Sequence, residues 1–170
     1  MKEFYSMGKI LMCFVTCIIT GLVADINAQE LSIPANLQAA VFKKIFLFNK
    51  TLQDKGNIEI AVLSKDGSGD EITEAFKNAG INAKMVTGGQ IPSSSTVIYL
   101  MPGVASPKQY CTEHGVLLIS GTGSDIEEGK ASVGLTIEEG KPKIIVNLSE
   151  LKAEKQDISS QVLSFAKIIQ

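Results

Sequence analysis

Four short apolar segments, at residues 57–64, 83–86, 96–101 and 115–120, recur along the chain, separated by turn residues or by stretches with helical spacing. Runs of this length with little polar alternation suit strands that are buried on both faces. The first is broken once, by Glu59, and leads into the turn Lys65-Asp66-Gly67-Ser68-Gly69. Asp70 then caps an expected helix that carries Ile72, Ala75, Phe76 and Ala79 on one face and stops at Gly80. Strand, helix and strand in that order predict a parallel crossover unit. TVIYLM and GVLLIS read as further central strands, with a short helix at 107–113 between them and a loop or single helical turn in GTGSDIEEG after them.

The pattern changes toward the C-terminus. Residues 131–138 and 143–147 read as strands flanking Glu139-Gly140-Lys141-Pro142, which is hairpin spacing. Asp157 is then expected to cap a final helix with Ile158, Val162, Phe165, Ala166 and Ile169 in one stripe. Near the other end, residues 31–52 read as one helix, with Ser32 as cap and Pro34 in the first turn. Its stripe of Leu37, Ala40, Val41, Ile45, Phe48 and Leu52 is widened almost all round by Phe42, Phe46 and Leu47. Such a helix is covered on more than one side, by its own domain or by a partner. The sum is a single layered α/β domain: a mostly parallel sheet, an antiparallel hairpin near its C-terminal edge, and helices on both faces.

Ahead of this domain, Lys2 and Lys9 precede an uncharged run of fifteen residues, ILMCFVTCIITGLVA, at 10–24. That is shorter than the ~20 residues a membrane-spanning helix needs. A basic start, a short apolar core and a nearby small residue predict a signal peptide at 1–28, cleaved between Ala28 and Gln29, with an exported domain at 29–170. A lipid-anchored alternative would cut before Cys17, but Thr16 stands where a smaller residue is usual. A retained membrane anchor is the other alternative. Cleavage removes Cys13 and Cys17 and leaves Cys111 as the one thiol, unable to form an internal disulfide and expected to be buried.

Residue chemistry excludes more than it suggests. Sixteen basic residues against eighteen acidic ones give a charge of −2, so nucleic acid is not an expected partner. All the basic residues are lysine, which removes the bidentate arginine clamp for phosphate or carboxylate. A Cys–His nucleophile pair must be Cys111 with His114, and no orienting acid is evident beside it. Ser120-Gly121-Thr122-Gly123 follows a strand as a nucleotide-binding turn would, but Ile126 occupies the third glycine position, and Asp125, Glu127 and Glu128 would repel a phosphate. Asp66, Asp70 and Glu71 lack the spacing of an EF-hand loop. Glu127-Glu128 and Glu138-Glu139 read as solvated turn edges. No catalytic residue, cofactor or metal site is assigned. A small-molecule site, if there is one, is expected at the carboxyl ends of the parallel strands, near residues 65–69, 102–105 or 121–124.

The order of segments resembles the YfiR/HmsC family of periplasmic signalling regulators. Gly115-Val116-Leu117-Leu118-Ile119-Ser120-Gly121 is similar to that family's strand and glycine turn, and GKASVGL from Gly129 stands at its glycine and apolar strand. Gly140-Lys141 and Ile145-Val146-Asn147 match its hairpin closing on an asparagine. The segments at 158–163, containing Ser159 and Ser160, and at 166–169 resemble its final helix. These are fold residues rather than reactive ones. Where the family commonly closes its first helix with an aromatic-Pro pair, this chain has Phe48-Asn49-Lys50-Thr51. The resemblance implies a non-enzymatic protein that binds the periplasmic domain of an inner-membrane signalling protein, restrains a diguanylate cyclase in biofilm or exopolysaccharide control, and forms a homodimer in some settings. A periplasmic small-molecule-binding module without a cyclase partner is the alternative. N-terminal sequencing of the chain recovered from the envelope is expected to read Gln29-Glu30-Leu31; a sequence starting at Met1 or Cys17 contradicts the cleavage assignment.

Overall fold

The computed structural model describes residues 33–170 apart from Gly89, so the expected cleavage point at Ala28 and Gln29, and Cys13 and Cys17, lie outside the described residues. In chain order the elements are α1 (Ala35–Leu47), α2 (Lys50–Lys55), β1 (Glu59–Ser64), α3 (Asp70–Asn78), β2 (Asn82–Thr87), β3 (Val97–Leu100), α4 (Lys108–His114), β4 (Leu117–Ser120), α5 (Gly123–Glu127), β5 (Val133–Glu138), β6 (Lys141–Asn147), α6 (Leu148–Ala153), α7 (Ser160–Leu163) and β7 (Lys167–Ile169). Among the described residues the strands form one seven-stranded sheet, ordered β2-β1-β3-β4-β5-β6-β7. β2, β1, β3, β4 and β5 run parallel, β5 and β6 form the antiparallel hairpin, and β7 adds parallel to β6.

Both faces of the central strands are buried, as their unbroken apolar composition requires. Ile60, Val62, Val97, Tyr99, Leu117 and Ile119 point into one cluster with α1 and α3. Ala61, Leu63, Ile98, Leu100 and Leu118 alternate into the other, beneath Cys111, Val116 and Ile126. The first cluster centres on Phe42, whose ring lies 6.3 Å from those of Phe46 and Phe76 and 6.2 Å from that of Tyr99. Phe42 and Phe76 are wholly buried. The predicted crossover, mostly parallel sheet and hairpin are all present.

The hairpin is tighter than the spacing suggests. Glu138 pairs directly with Lys141, leaving Glu139 and Gly140 as a two-residue loop. Both loop residues have positive φ, 51° and 74°, which is the turn that matches strand twist and explains the glycine. Gly69, not Asp70, is the capping residue of α3. Residues 148–153, which carried no sequence assignment, form α6, started by Asn147, whose side chain accepts from the Glu150 N–H at 3.2 Å.

Two helical expectations are corrected. The final segment is not one helix. Ser159 caps the four-residue α7, and Lys167–Ile169 then pairs with Ile145, Val146 and Asn147 as β7. The edge of β6 offers unpaired backbone groups, and Ile168-Ile169 is a β-branched pair suited to them. The apolar stripe therefore splits: Ile158 and Val162 join the core, while Phe165 is 78% exposed.

The first segment is also not one helix. α1 ends at Leu47, and Asn49 stands fully buried in an extended conformation before α2. Its side chain accepts from the Leu52 N–H (3.2 Å) and donates to Gln156 Oε1 (3.0 Å). Around it the backbone pairs with the C-terminal segment: Lys50 N–H donates to Asp157 O and Ser159 N–H to Phe48 O, both at 2.9 Å. Buried polar groups need these partners, so the chain breaks its helix to make them. Asn49→Ala removes a helix cap and leaves the buried Gln156 Oε1 without its donor; urea titration is expected to show a loss of about 2–4 kcal/mol with an unchanged m-value.

Candidate functional site

The loops at the carboxyl ends of the parallel strands are closed turns. After β1, Asp66 Oδ1 accepts from the Ser68 N–H (3.0 Å) and from Ser64 Oγ (3.4 Å), and the bonds from Ser68 hold this exposed carboxyl below its ordinary value. Asp66 is thereby a turn residue, while Asp70 and Glu71 begin α3, where acidic groups favour a helix start. Among the described residues no group of three His, Cys, Asp or Glu side chains converges as a metal site. After β3, Val104 N–H closes onto Met101 O (3.3 Å) and the Val104 side chain packs on the second core.

The glycine turn after β4 is filled by the protein itself. Tyr99 donates its phenolic proton to Gln38 Oε1 (2.6 Å), and Gln38 Nε2 donates to Ile33 O (2.6 Å). The Gly121 N–H donates to the Tyr99 oxygen, and burial pushes that phenol well above its usual range. A Cβ on Gly121 would collide with Gln38 and the Tyr99 hydroxyl. Ser120 and Thr122 then donate to Asp125 Oδ2 at 2.6 and 2.8 Å, and Lys130 lies 3.7 Å from the other carboxylate oxygen. The β4 turn is thus a satisfied polar knot against α1, with no space at Gly121 for a phosphate.

The other family-motif residues also occupy structural places. Gly129 follows α5, Gly140 sits in the hairpin loop, and Asn147 caps α6 while donating to Ile126 O (3.3 Å). Ser159 accepts from the Gln161 N–H (3.3 Å), and Ser160 opens α7. The acidic pairs lie on the surface: Glu127 receives Lys167 (2.7 Å), Glu128 receives Lys130 (2.5 Å), Glu138 receives Lys143, and Glu139 sits in the hairpin loop.

Cys111 and His114 do not form a nucleophile pair. Cys111 is fully buried, and burial, with a smaller contribution from Glu154, pushes its thiol up to about 12. A protonated thiol without solvent access is a poor nucleophile. His114 lies on the surface with its ring 4.4 Å from that of Tyr110.

One surface gathers exposed apolar side chains. Val41, Lys44, Ile45 and Phe48 of the first helix and its end face Ile144 of β6 and Gln161, Val162, Ser164 and Phe165 across a groove of about 550 Å³. Phe48 is 42% exposed and Phe165 78%; Leu37 and Leu47 of α1 are also exposed. The groove lining contains one lysine and no carboxylate. This is the uncovered side of the helix whose sequence is apolar almost all round. The helix spacing announced the α1 half of the groove. The Phe165 half was hidden, because Phe165 read as one position in the stripe of a continuous final helix.

Residues 35–167 match the family described as YfiR/HmsC-like. The chain belongs to that family. Membership supports a periplasmic regulatory binding role. No curated protein matches the chain at a significant level. Among solved structures, a conserved domain protein from Vibrio cholerae O1 biovar El Tor is similar at a TM-score of 0.61 and 17% identity, covering 83% of this chain and 61% of its own. The ABC domain in complex with L-Trp from Streptococcus pneumoniae is similar at 0.55 and 14%, covering 80% and 60%. At such identities the likeness concerns the fold alone, and this YfiR/HmsC-like chain spans about three fifths of the length of each. No helix among the described residues is long and apolar enough to cross a membrane.

A buried carboxyl that local sequence does not announce lies at the entry to the β4–β5 pair. Glu154, between Lys152 and Lys155 near two exposed positions, reads as a surface residue, yet it is 3% exposed. Its Oε2 accepts from Ser132 Oγ (2.6 Å) and from the Leu118 N–H (3.1 Å), where β4 and β5 have not yet paired. Burial pushes the carboxyl up to about 8, against the lowering effect of those two bonds. The folded chain then keeps a proton that the unfolded chain releases near the ordinary value of 4.5. That contribution to stability is complete below about 4.5 and is lost as pH rises through about 8. Denaturant unfolding at pH 5 and pH 8.5 is expected to show a loss of roughly a few kcal/mol for the natural chain that Glu154→Gln abolishes.

Proposed function

We propose that this chain is exported, cleaved after Ala28, and acts in the periplasm by docking on the external domain of an inner-membrane signalling protein. The enzyme restrained is of the diguanylate cyclase type, with biofilm or exopolysaccharide output. The observation that carries this reading is the apolar groove between α1 and the α7–β7 connection, on a chain of the YfiR/HmsC-like family. Contiguous apolar surface on an otherwise polar exterior marks an interaction site. Phe48 and Phe165 are the anchors, since aromatic side chains carry most of the energy at such contacts. Lys44 at the groove, with no neighbouring carboxylate in the lining, favours a partner segment that pairs an apolar side chain with an acidic one.

The regulatory logic is a population shift. A domain that binds one state of the receptor's external half holds the cytoplasmic half in the matching state, by as much as its affinity differs between the two. Deleting the gene is expected to raise cyclic diguanylate and biofilm, and the natural chain to reverse both. Phe48→Glu and Phe165→Glu change exposed residues, so both variants are expected to keep the natural unfolding midpoint. Each is expected to weaken docking about thirtyfold, the equivalent of about 2 kcal/mol, and to fail in the reversal. Full reversal by both folded variants, or no rise on deletion, contradicts the proposal.

A further inference from the structure

A second hollow, of about 660 Å³, lies at the opposite end of the sheet from the turns discussed above. Its position follows from the parallel topology. Lys55 ends α2 just before β1, Thr96 immediately precedes β3, and Val116 immediately precedes β4; β1, β3 and β4 are neighbours. The hollow therefore opens at the amino ends of three adjacent strands, with Tyr110 and His114 of α4 on one side and the Ser93–Ser95 turn on the other. That turn is closed by the Ser95 N–H donating to Pro92 O (3.0 Å). The volume is in the range of small-molecule sites.

Its chemistry is one-sided. Lys55 is the one residue in the lining that carries full charge, and no carboxylate accompanies it. The Lys55 ammonium donates to Gly115 O (2.6 Å), which fixes it at the rim beside Val116 and leaves two of its three protons for another acceptor. Ser93, Ser94 and Ser95 add hydroxyls, and His114 adds an imidazole. Gln90 and Thr96 complete the polar lining, and Ile91, Val116 and the Tyr110 ring supply the apolar wall, the ring held against His114 at 4.4 Å. We propose that this hollow binds a small organic anion, a carboxylate or its like carried on a flat apolar body. The anionic head sits at Lys55 and the serine turn, and the body lies along Tyr110, His114 and Ile91. This site is separate from the docking groove and does not depend on it.

Naphthoate, with neutral naphthamide as its isostere and inorganic phosphate as an anion without a body, tests the proposal on the chain 29–170 by heteronuclear NMR titration. Naphthoate is expected to shift the resonances of Tyr110 and His114 saturably. Naphthamide and phosphate are each expected to bind at least about tenfold more weakly, the loss of one charge-assisted bond or of the apolar contact. Lys55→Gln is expected to bring naphthoate down to the level of naphthamide, and Lys55→Arg to restore most of the difference. Both variants change an exposed side chain and are expected to keep the natural spectrum away from the hollow. Equal binding of naphthoate and naphthamide, no effect of Lys55→Gln, absence of saturable shifts, or shifts confined to Phe48 and Phe165 overturns it.

Discussion

Burial of β1, β3 and β4 on both faces is the constraint from which the other features of this domain follow. Strands whose successive residues all enter a core, as Ala61-Val62 and Ile98-Tyr99 do, need a layer of helices above and another below. α1 and α3 supply one layer, and α4 and α5 contribute to the other. Covering both faces demands crossovers, and the crossovers place the loops at the two ends of the sheet. One end is spent on structure: Tyr99, Gln38 and Gly121 interlock there, and Asp125 gathers Ser120 and Thr122. The other end is left hollow between Lys55, the serine turn and Tyr110.

The second half of the domain is built on buried polar contacts. Asn49, Gln156 and Glu154 are each at most 8% exposed, and together they join the end of α1, the loop before β4 and the α6–α7 connection. Gln156 Nε2 donates to Gly115 O and Glu154 O, both at 3.0 Å, while its oxygen accepts from Asn49. Such contacts hold a geometry because every alternative leaves a buried polar group without a partner. They also position the groove. The break at Asn49 ends α1 at Leu47 and leaves Phe48 at the surface. The pairing of β7 with β6 likewise ends the last helical turn before Phe165.

The limits of local reading are visible at the same residues. The helical stripe through Phe48 to Leu52 is continuous in sequence, and nothing within that window indicates that the chain bends at Asn49. The side chain that decides it, Gln156, is 107 positions away. Ile158, Val162, Phe165 and Ile169 are spaced for a helix, but a strand edge contributed by β6 competes for the same backbone and wins at Lys167–Ile169. Glu154 sits among lysines, so local composition points to solvent. The Ser132 hydroxyl and the Leu118 amide that receive it come from elsewhere in the fold.

From sequence alone came the parallel α/β class, the central strands, the glycine-bearing hairpin and a buried Cys111. Each depends on composition or spacing within a few residues, which local sterics and burial translate directly into structure. Tertiary structure alone decided where the first helix breaks, that Lys167–Ile169 form a strand, that a carboxyl is buried between β4 and β5, and where the apolar groove and the Lys55 hollow lie. Those outcomes depend on which distant groups meet, because a polar atom or a strand edge is satisfied by whichever partner the whole fold delivers.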